Sequence, residues 1–392
     1  MRGAHPIAFI ALGLFGVYCI EFGVVGVLPL IIARFQVTAA QAGLLVGSFA
    51  LIIAALGPLL VLAASRFPRK AVLATALFIF ALASVASAYA PSLGALMALR
   101  VLPALFHPIY FSLAMVAAMA LYPPQQATRA TTHAFTGTSM GMVLGIPITT
   151  WVATRFSYEA SFLACAAINA VAGIGLLLSL PDAPARKLAY GRQLAILRKP
   201  ALWWNIAACT LVFAAMFSVY AYAAEYLKRV SGLGGSAISG LLFVFGVGGV
   251  LGNLVAGRLL TRNVVRTALL QVAALALAYA ALALFADVGV AGMAAVALFW
   301  GAAHTSGLVV TQIWLTSEAG GAPEFATGLY ISFINLGVTI GSLCGGWCIG
   351  RYGMSGVIWS GLVFAALAAA LIVAKVALYG APGRPVGLPA RP

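Results

Sequence analysis

Apolar residues in this chain neither alternate nor form a narrow helical stripe. They run on for 20 residues or more, interrupted by short clusters of charge, proline and glycine. The runs predict twelve helices, at 7–33, 41–64, 71–90, 95–120, 131–154, 160–180, 202–226, 236–258, 265–286, 290–315, 324–349 and 356–379. Each is near the roughly 20 residues that cross about 30 Å of hydrocarbon at about 1.5 Å per residue. Barrel strands would be about half as long and would alternate polar with apolar positions. The first run is too long for a signal peptide and has no small-residue cleavage site. The pattern is that of an all-α polytopic membrane protein.

Composition removes the soluble alternative. Of 392 residues, 64% are hydrophobic and 7% charged, with a mean hydropathy of +1.09. Soluble domains carry roughly 25% charged residues, and a globule always keeps a large wetted surface to cover. The 22 Lys and Arg against 7 Asp and Glu give a formal charge of +15. These basic residues lie in the breaks between apolar runs, without the clustering and aromatic interleaving of a nucleic-acid footprint, so no nucleic-acid partner is expected. With the N-terminus in the cytoplasm, 16 of the 22 fall on the cytoplasmic side and 6 on the other. The positive-inside rule therefore expects both termini in the cytoplasm. All five cysteines lie inside apolar runs, where a thiol acts as a small hydrophobe, and no metal or cofactor is expected.

The longest interior break divides the chain into an N-terminal six-helix bundle (1–180), a cytoplasmic linker (181–201), a C-terminal six-helix bundle (202–380) and a Pro/Gly-rich tail (381–392) that reads as disordered. The two halves echo each other at an offset near 200. Gly137, Gly141 and Gly145 recur as Gly337, Gly341 and Gly345; His107 has a counterpart in His304; and the basic turn Arg66, Arg69, Lys70 is matched by Arg258 and Arg262 up to Arg266. Such an internal repeat predicts two pseudo-symmetric bundles, a frequent construction among transporters. The glycine triplets leave a smooth helix face, and Pro147 removes a backbone donor near the end of the first. The face reads as a rocking interface between the halves, with static close packing as the alternative.

Charges within the spans narrow the chemistry. Glu21 lies near mid-bilayer, where a lone carboxylate costs several kcal/mol unless it is protonated, paired or in a wet cavity. That makes it a candidate proton carrier and substrate contact. Arg100 either snorkels to the headgroups or faces a cavity. His107 follows it by two turns on the same face, and either exchanges protons and binds substrate or is a satisfied core imidazole. His304 carries the same two readings. Glu225, with Lys228 and Arg229 a turn away, is a local ion pair or a second acidic contact. Tyr18, Phe22, Tyr110, Tyr220, Gln312 and Asn335 complete the set of substrate-binding candidates. The four histidines form no catalytic constellation, so enzyme activity is not expected. No Walker loop is present, so no ATPase partner is required, and one copy supplies a pathway without an oligomer.

Longer motifs carry a family resemblance over nearly the whole chain. Glu21-Phe22 through Gly26, Leu28 and Pro29 is similar to a first-span motif of the sugar- and arabinose-efflux-like branch of the bacterial twelve-span drug:H⁺ antiporters, within the major facilitator superfamily. Gly57-Pro58 with Arg66, Arg69 and Lys70 resembles the cytoplasmic loop motif, though Ser65 replaces its aspartate. Gly252 to Arg258 and Arg262 resembles the second copy, with Thr261 in the acidic place. Gly137 to Gly145-Ile146-Pro147 is similar to the fifth-span antiporter motif, and Arg100 matches the fourth-span arginine implicated in proton coupling. The resemblance implies a bacterial inner-membrane secondary transporter working by alternating access, with Glu21, Arg100 and His107 in proton coupling. It would export a drug-like amphiphile or a sugar- or nucleoside-like metabolite. Proton-coupled uptake of a sugar or related metabolite is the alternative.

Overall fold

The computed structural model describes residues 6–64, 66–122, 127–182, 193–318 and 323–381. They form fourteen α-helices and a 3-10 helix at Gln193–Arg198, with no strand among the described residues. The helices are α1 (Pro6–Gly26), α2 (Leu28–Phe35), α3 (Ala39–Ala64), α4 (Arg69–Ala88), α5 (Leu93–Ala120), α6 (Ala127–Arg155), α7 (Tyr158–Ser179), α8 (Pro200–Tyr220), α9 (Ala223–Arg229), α10 (Gly235–Leu260), α11 (Val264–Leu284), α12 (Gly289–Thr316), α13 (Pro323–Tyr352) and α14 (Gly356–Tyr379).

The twelve predicted runs all fall on these helices, with two refinements. The first run is two helices, α1 and α2, separated at Val27. Pro29 in the first turn of α2 has no N–H to continue the ladder, and a proline is well placed only at a helix start. The seventh run likewise splits into α8 and α9 at Ala221–Tyr222, where no proline explains the break. By length and composition, eleven spans among the described residues suit a membrane, with α8 and α9 counted as one. The run expected at 131–154 is not among the eleven. It folds as the 29-residue α6, whose many Thr, Ser and Gly residues lower its hydropathy.

The chain divides into two compact units. The first comprises Met1–Leu188 with Gly234–Phe243, the second Ala189–Leu233 with Val244–Pro392. Within the first, α1 packs on α6 and α7, α4 on α7, and α3 on α5. Within the second, α8 packs on α13 and α14, and α11 on α12 and α14. The start of α10 belongs to the first unit, where the Ser239 hydroxyl donates to the Pro147 carbonyl at 3.0 Å.

The glycine stripes have a different place from the one expected. Gly137, Gly141 and Gly145 press α6 onto α1: a Cβ at Gly137 would lie 1.9 Å from the Ala11 carbonyl oxygen, and one at Gly141 2.7 Å from Tyr18 Cβ. Gly337, Gly341 and Gly345 press α13 onto α8, each with a backbone oxygen 2.4 Å from where a Cβ would stand. Each stripe is thus a close-packing seam inside its own unit rather than a face between the halves, where the rocking-interface reading had put it. The physical reason is that backbones in contact leave no volume for any side chain.

Candidate functional site

In the first unit, α1 and α5 bring their polar residues to one place, beside Phe49 of α3. Glu21 on α1 and His107 on α5 are both buried, and His107 Nε2 lies 2.9 Å from Glu21 Oε2. The approach is at ion-pair distance but off the hydrogen-bonding line, so Glu21 Oε2 and both imidazole nitrogens lack a hydrogen bond. Arg100, two turns earlier on α5, does not snorkel: it is 4% exposed. Its Nη1 donates to the Ile20 carbonyl at 3.0 Å and its Nη2 to the Glu21 carbonyl at 3.1 Å. The guanidinium thus grips the backbone of the acidic residue rather than its carboxylate, and its Cζ lies 4.8 Å from the centre of the Phe49 ring on α3.

Aromatic rings enclose this pair. Tyr18 meets the His107 ring edge-on at 5.3 Å, and Phe49 does so at 6.0 Å. Phe22 and Phe111 pack against Tyr18 at 6.0 and 6.4 Å. Two prolines, Pro103 and Pro108, stand inside α5 beside these residues. Each removes one ladder donor, so the stretch carrying His107 is held by fewer backbone bonds than an ordinary helix. An acid and an imidazole in van der Waals surroundings, with an anchored cation on the acid's own backbone, form a group that can hold, accept or lose a proton.

The second unit repeats the histidine without the acid. His304 on α12 is surrounded by Tyr220 at 4.5 Å, Phe245 at 5.3 Å, Phe217 at 5.6 Å and Trp300 at 6.5 Å, ring centre to ring centre. Its Nδ1 is buried without a hydrogen bond. Such a box offers flat apolar faces with one polar edge.

The remaining candidates are dispersed. Tyr110 is fully buried, with its hydroxyl donating to the Ile10 carbonyl at 3.3 Å, so it ties α5 to α1. Glu225 on α9 is 1% exposed and paired with Arg229 four residues on, the local ion pair, yet its Oε2 has no hydrogen bond. Asn335 on α13 spends its amide on the Ile331 carbonyl of its own helix at 2.9 Å, leaving Oδ1 unbonded. Gln312 is half-buried on α12. Of the loop motif, Arg66, Arg258 and Arg262 are exposed, Arg69 is half-exposed, and Lys70 lies 3.5 Å from Asp182 beyond the end of α7.

Sequence reading missed Phe49, Phe111 and Phe245. Phe111 follows His107 by one turn and was open to the same spacing argument. Phe49 and Phe245 lie at the repeat offset that relates His107 to His304, within one residue, so a search for matched aromatics would have found them.

The model of the Major Facilitator Superfamily matches residues 10–324. The chain is 30% identical over 379 residues to the inner membrane transport protein YdhP of Escherichia coli (strain K12), covering 95% of this chain and 96% of that protein. It is also 30% identical over 377 residues to a chloramphenicol resistance protein of Streptomyces lividans, covering 94% and 95%. Among solved structures, the nucleoside transporter NupG superposes with a TM-score of 0.74 at 16% identity, over 95% of this chain and 97% of its own. A bacterial homologue of the human lysosomal transporter Spinster, in an inward-facing and occupied conformation, does so with a TM-score of 0.74 at 17% identity, over 96% and 98%. At such identities the likeness is one of fold.

Proposed function

The chain belongs to the Major Facilitator Superfamily, whose fold is that of membrane transporters, and from this membership and the α1–α5 site we propose that it exports a small organic compound in exchange for protons. The observation that carries the reading is the buried Glu21–His107 contact at 2.9 Å. A pair holding one proton in total is neutral overall and the least costly to bury; one proton more or fewer leaves net charge that only water or a charged ligand offsets. In the proposed cycle the pair takes a proton from outside as the compound leaves. The proton is released inside, and the charged pair favours the next compound.

The driving force is adequate. A membrane potential supplies about 2.3 kcal/mol per charge per 100 mV, and about 1.4 kcal/mol is tenfold in concentration. The box of Phe217, Tyr220, Phe245 and Trp300 around His304 suits a compound with a flat apolar part and a polar edge. The chloramphenicol resistance relative supports a drug-like cargo.

The test is transport into inverted vesicles with an imposed pH gradient, chloramphenicol being the first compound tried within a panel. Wild type should accumulate its compound at least tenfold when the lumen is acid, and Glu21→Gln should abolish accumulation while retaining exchange down a concentration gradient. Undiminished accumulation by that variant would remove Glu21 from coupling, and accumulation only in right-side-out vesicles would reverse the direction.

A further inference from the structure

Away from these residues, a groove of about 590 Å³ opens between α11 and α14 of the second unit, lined among others by Asn263, Arg266, Leu269, Leu270, Ala273 and Val376. We propose that it holds the headgroup and upper acyl chain of an anionic phospholipid, such as phosphatidylglycerol. The juxtaposition of one arginine above an apolar wall carries the assignment. Arg266 lies in the first turn of α11, where the chain re-enters an apolar span, and its side chain is exposed. Positions 266, 269, 270 and 273 share one helical face, so the wall descends from that charge for about 10 Å at about 1.5 Å per residue.

The charges around the groove favour an anion. Asn263 already spends its side-chain oxygen on the Arg266 backbone N–H, at 2.9 Å. Among the described residues, no acid lines the groove and Arg266 has no ion-pair partner. Glu318, the acid that pairs with α14 among the described residues, is held by Lys375 at 2.7 Å. Arg258 in the last turn of α10 and Arg262 in the turn before α11 carry charge of the same sign and are exposed. A planar guanidinium can take two oxygens of a phosphodiester at once.

The wall argues for a lipid rather than a soluble anion. Leu270 is 47% exposed, Leu277 further along α11 is 63% exposed, and Val373 on α14 is 55% exposed. A free phosphate gains nothing from that surface. A phospholipid uses both parts, and basic groups at the ends of membrane helices are where acidic headgroups bind. This inference rests on the chain spanning a membrane and not on its cargo or coupling.

Native mass spectrometry of the full-length chain, delipidated and then exposed to equal phosphatidylglycerol and phosphatidylcholine, tests it. Wild type should retain one phosphatidylglycerol in preference. Arg266→Gln should lower that retention about tenfold, with unchanged thermal stability in phosphatidylcholine, and Arg351→Gln at the exposed end of α13 should leave it intact. Equal retention by Arg266→Gln, or equal loss in Arg351→Gln, would overturn the site. Displacement of the lipid by millimolar inorganic phosphate would make it a free-anion site instead. Increased retention in a chain ending at Ala381 would make the tail, not the lipid, the native occupant.

Discussion

Arg100 shows how much one side chain can organise. It reaches two successive carbonyls of α1 while lying over Phe49. Lysine offers a compact ammonium without a planar fork, so Arg100→Lys keeps the charge and loses the paired geometry. A charged hydrogen bond contributes about 1.5–3 kcal/mol, so the variant should insert normally yet lose about tenfold or more in transport rate. Transport assays beside a membrane immunoblot would check both halves of that statement. His107→Phe keeps the ring packing against Tyr18 and Phe49 but removes the partner of Glu21. It should uncouple accumulation from the pH gradient as Glu21→Gln does, and a variant still driven by that gradient would place coupling elsewhere. Glu21 and Arg100 were legible in the sequence because charge in lipid always asks for an explanation. Their mutual arrangement was not, because the guanidinium uses backbone oxygens, which every sequence supplies everywhere.

At the scale of elements, the glycine seams make the sharpest contrast between position and neighbourhood. A methyl at Gly137 or Gly341 would drive into a backbone oxygen 1.9 or 2.4 Å away, whereas Gly350 has nothing within 4 Å. Gly137→Ala and Gly341→Ala should each cost about 1–3 kcal/mol of packing, read as a lower melting temperature in detergent, while Gly350→Ala should be close to neutral. The recurrence of the triplets was readable at a 200-residue offset. Their contact partners, α1 and α8, were not, since a small residue indicates closeness without naming what comes close.

Lys375 teaches a related lesson. By sequence it is one more topology-setting charge, yet it is fully buried, bonded to Glu318 and 5.4 Å from the centre of the Trp314 ring. Lys375→Met strands the Glu318 carboxylate and should destabilise by about 3 kcal/mol. Adding Glu318→Gln should recover part of the loss in a thermal-shift double-mutant cycle.

For the molecule as a whole, the imbalance of basic residues between alternate loops leads us to expect both termini in the cytoplasm. A C-terminal green fluorescent protein fusion should then fluoresce, and an alkaline phosphatase fusion at the same point should be inactive. The opposite pair of results would invert every loop. The same repeat governs both units: each splits its leading span into two helices, carries a histidine at matched positions and seals a helix pair with three glycines. They differ in that, among the described residues, only the first unit gives its histidine an acid. By itself, the sequence determined the solvent, the places of the long apolar runs and the duplication, because transfer of such runs into lipid is a sum over residues and needs no knowledge of neighbours. What only the tertiary structure decided was which neighbours meet: Glu21 with His107, Arg100 with the α1 backbone, the glycines with helices of their own unit, and Arg266 with an open apolar groove. Those pairings arise from packing between segments far apart in the chain, and helix phase cannot be read where every face is apolar.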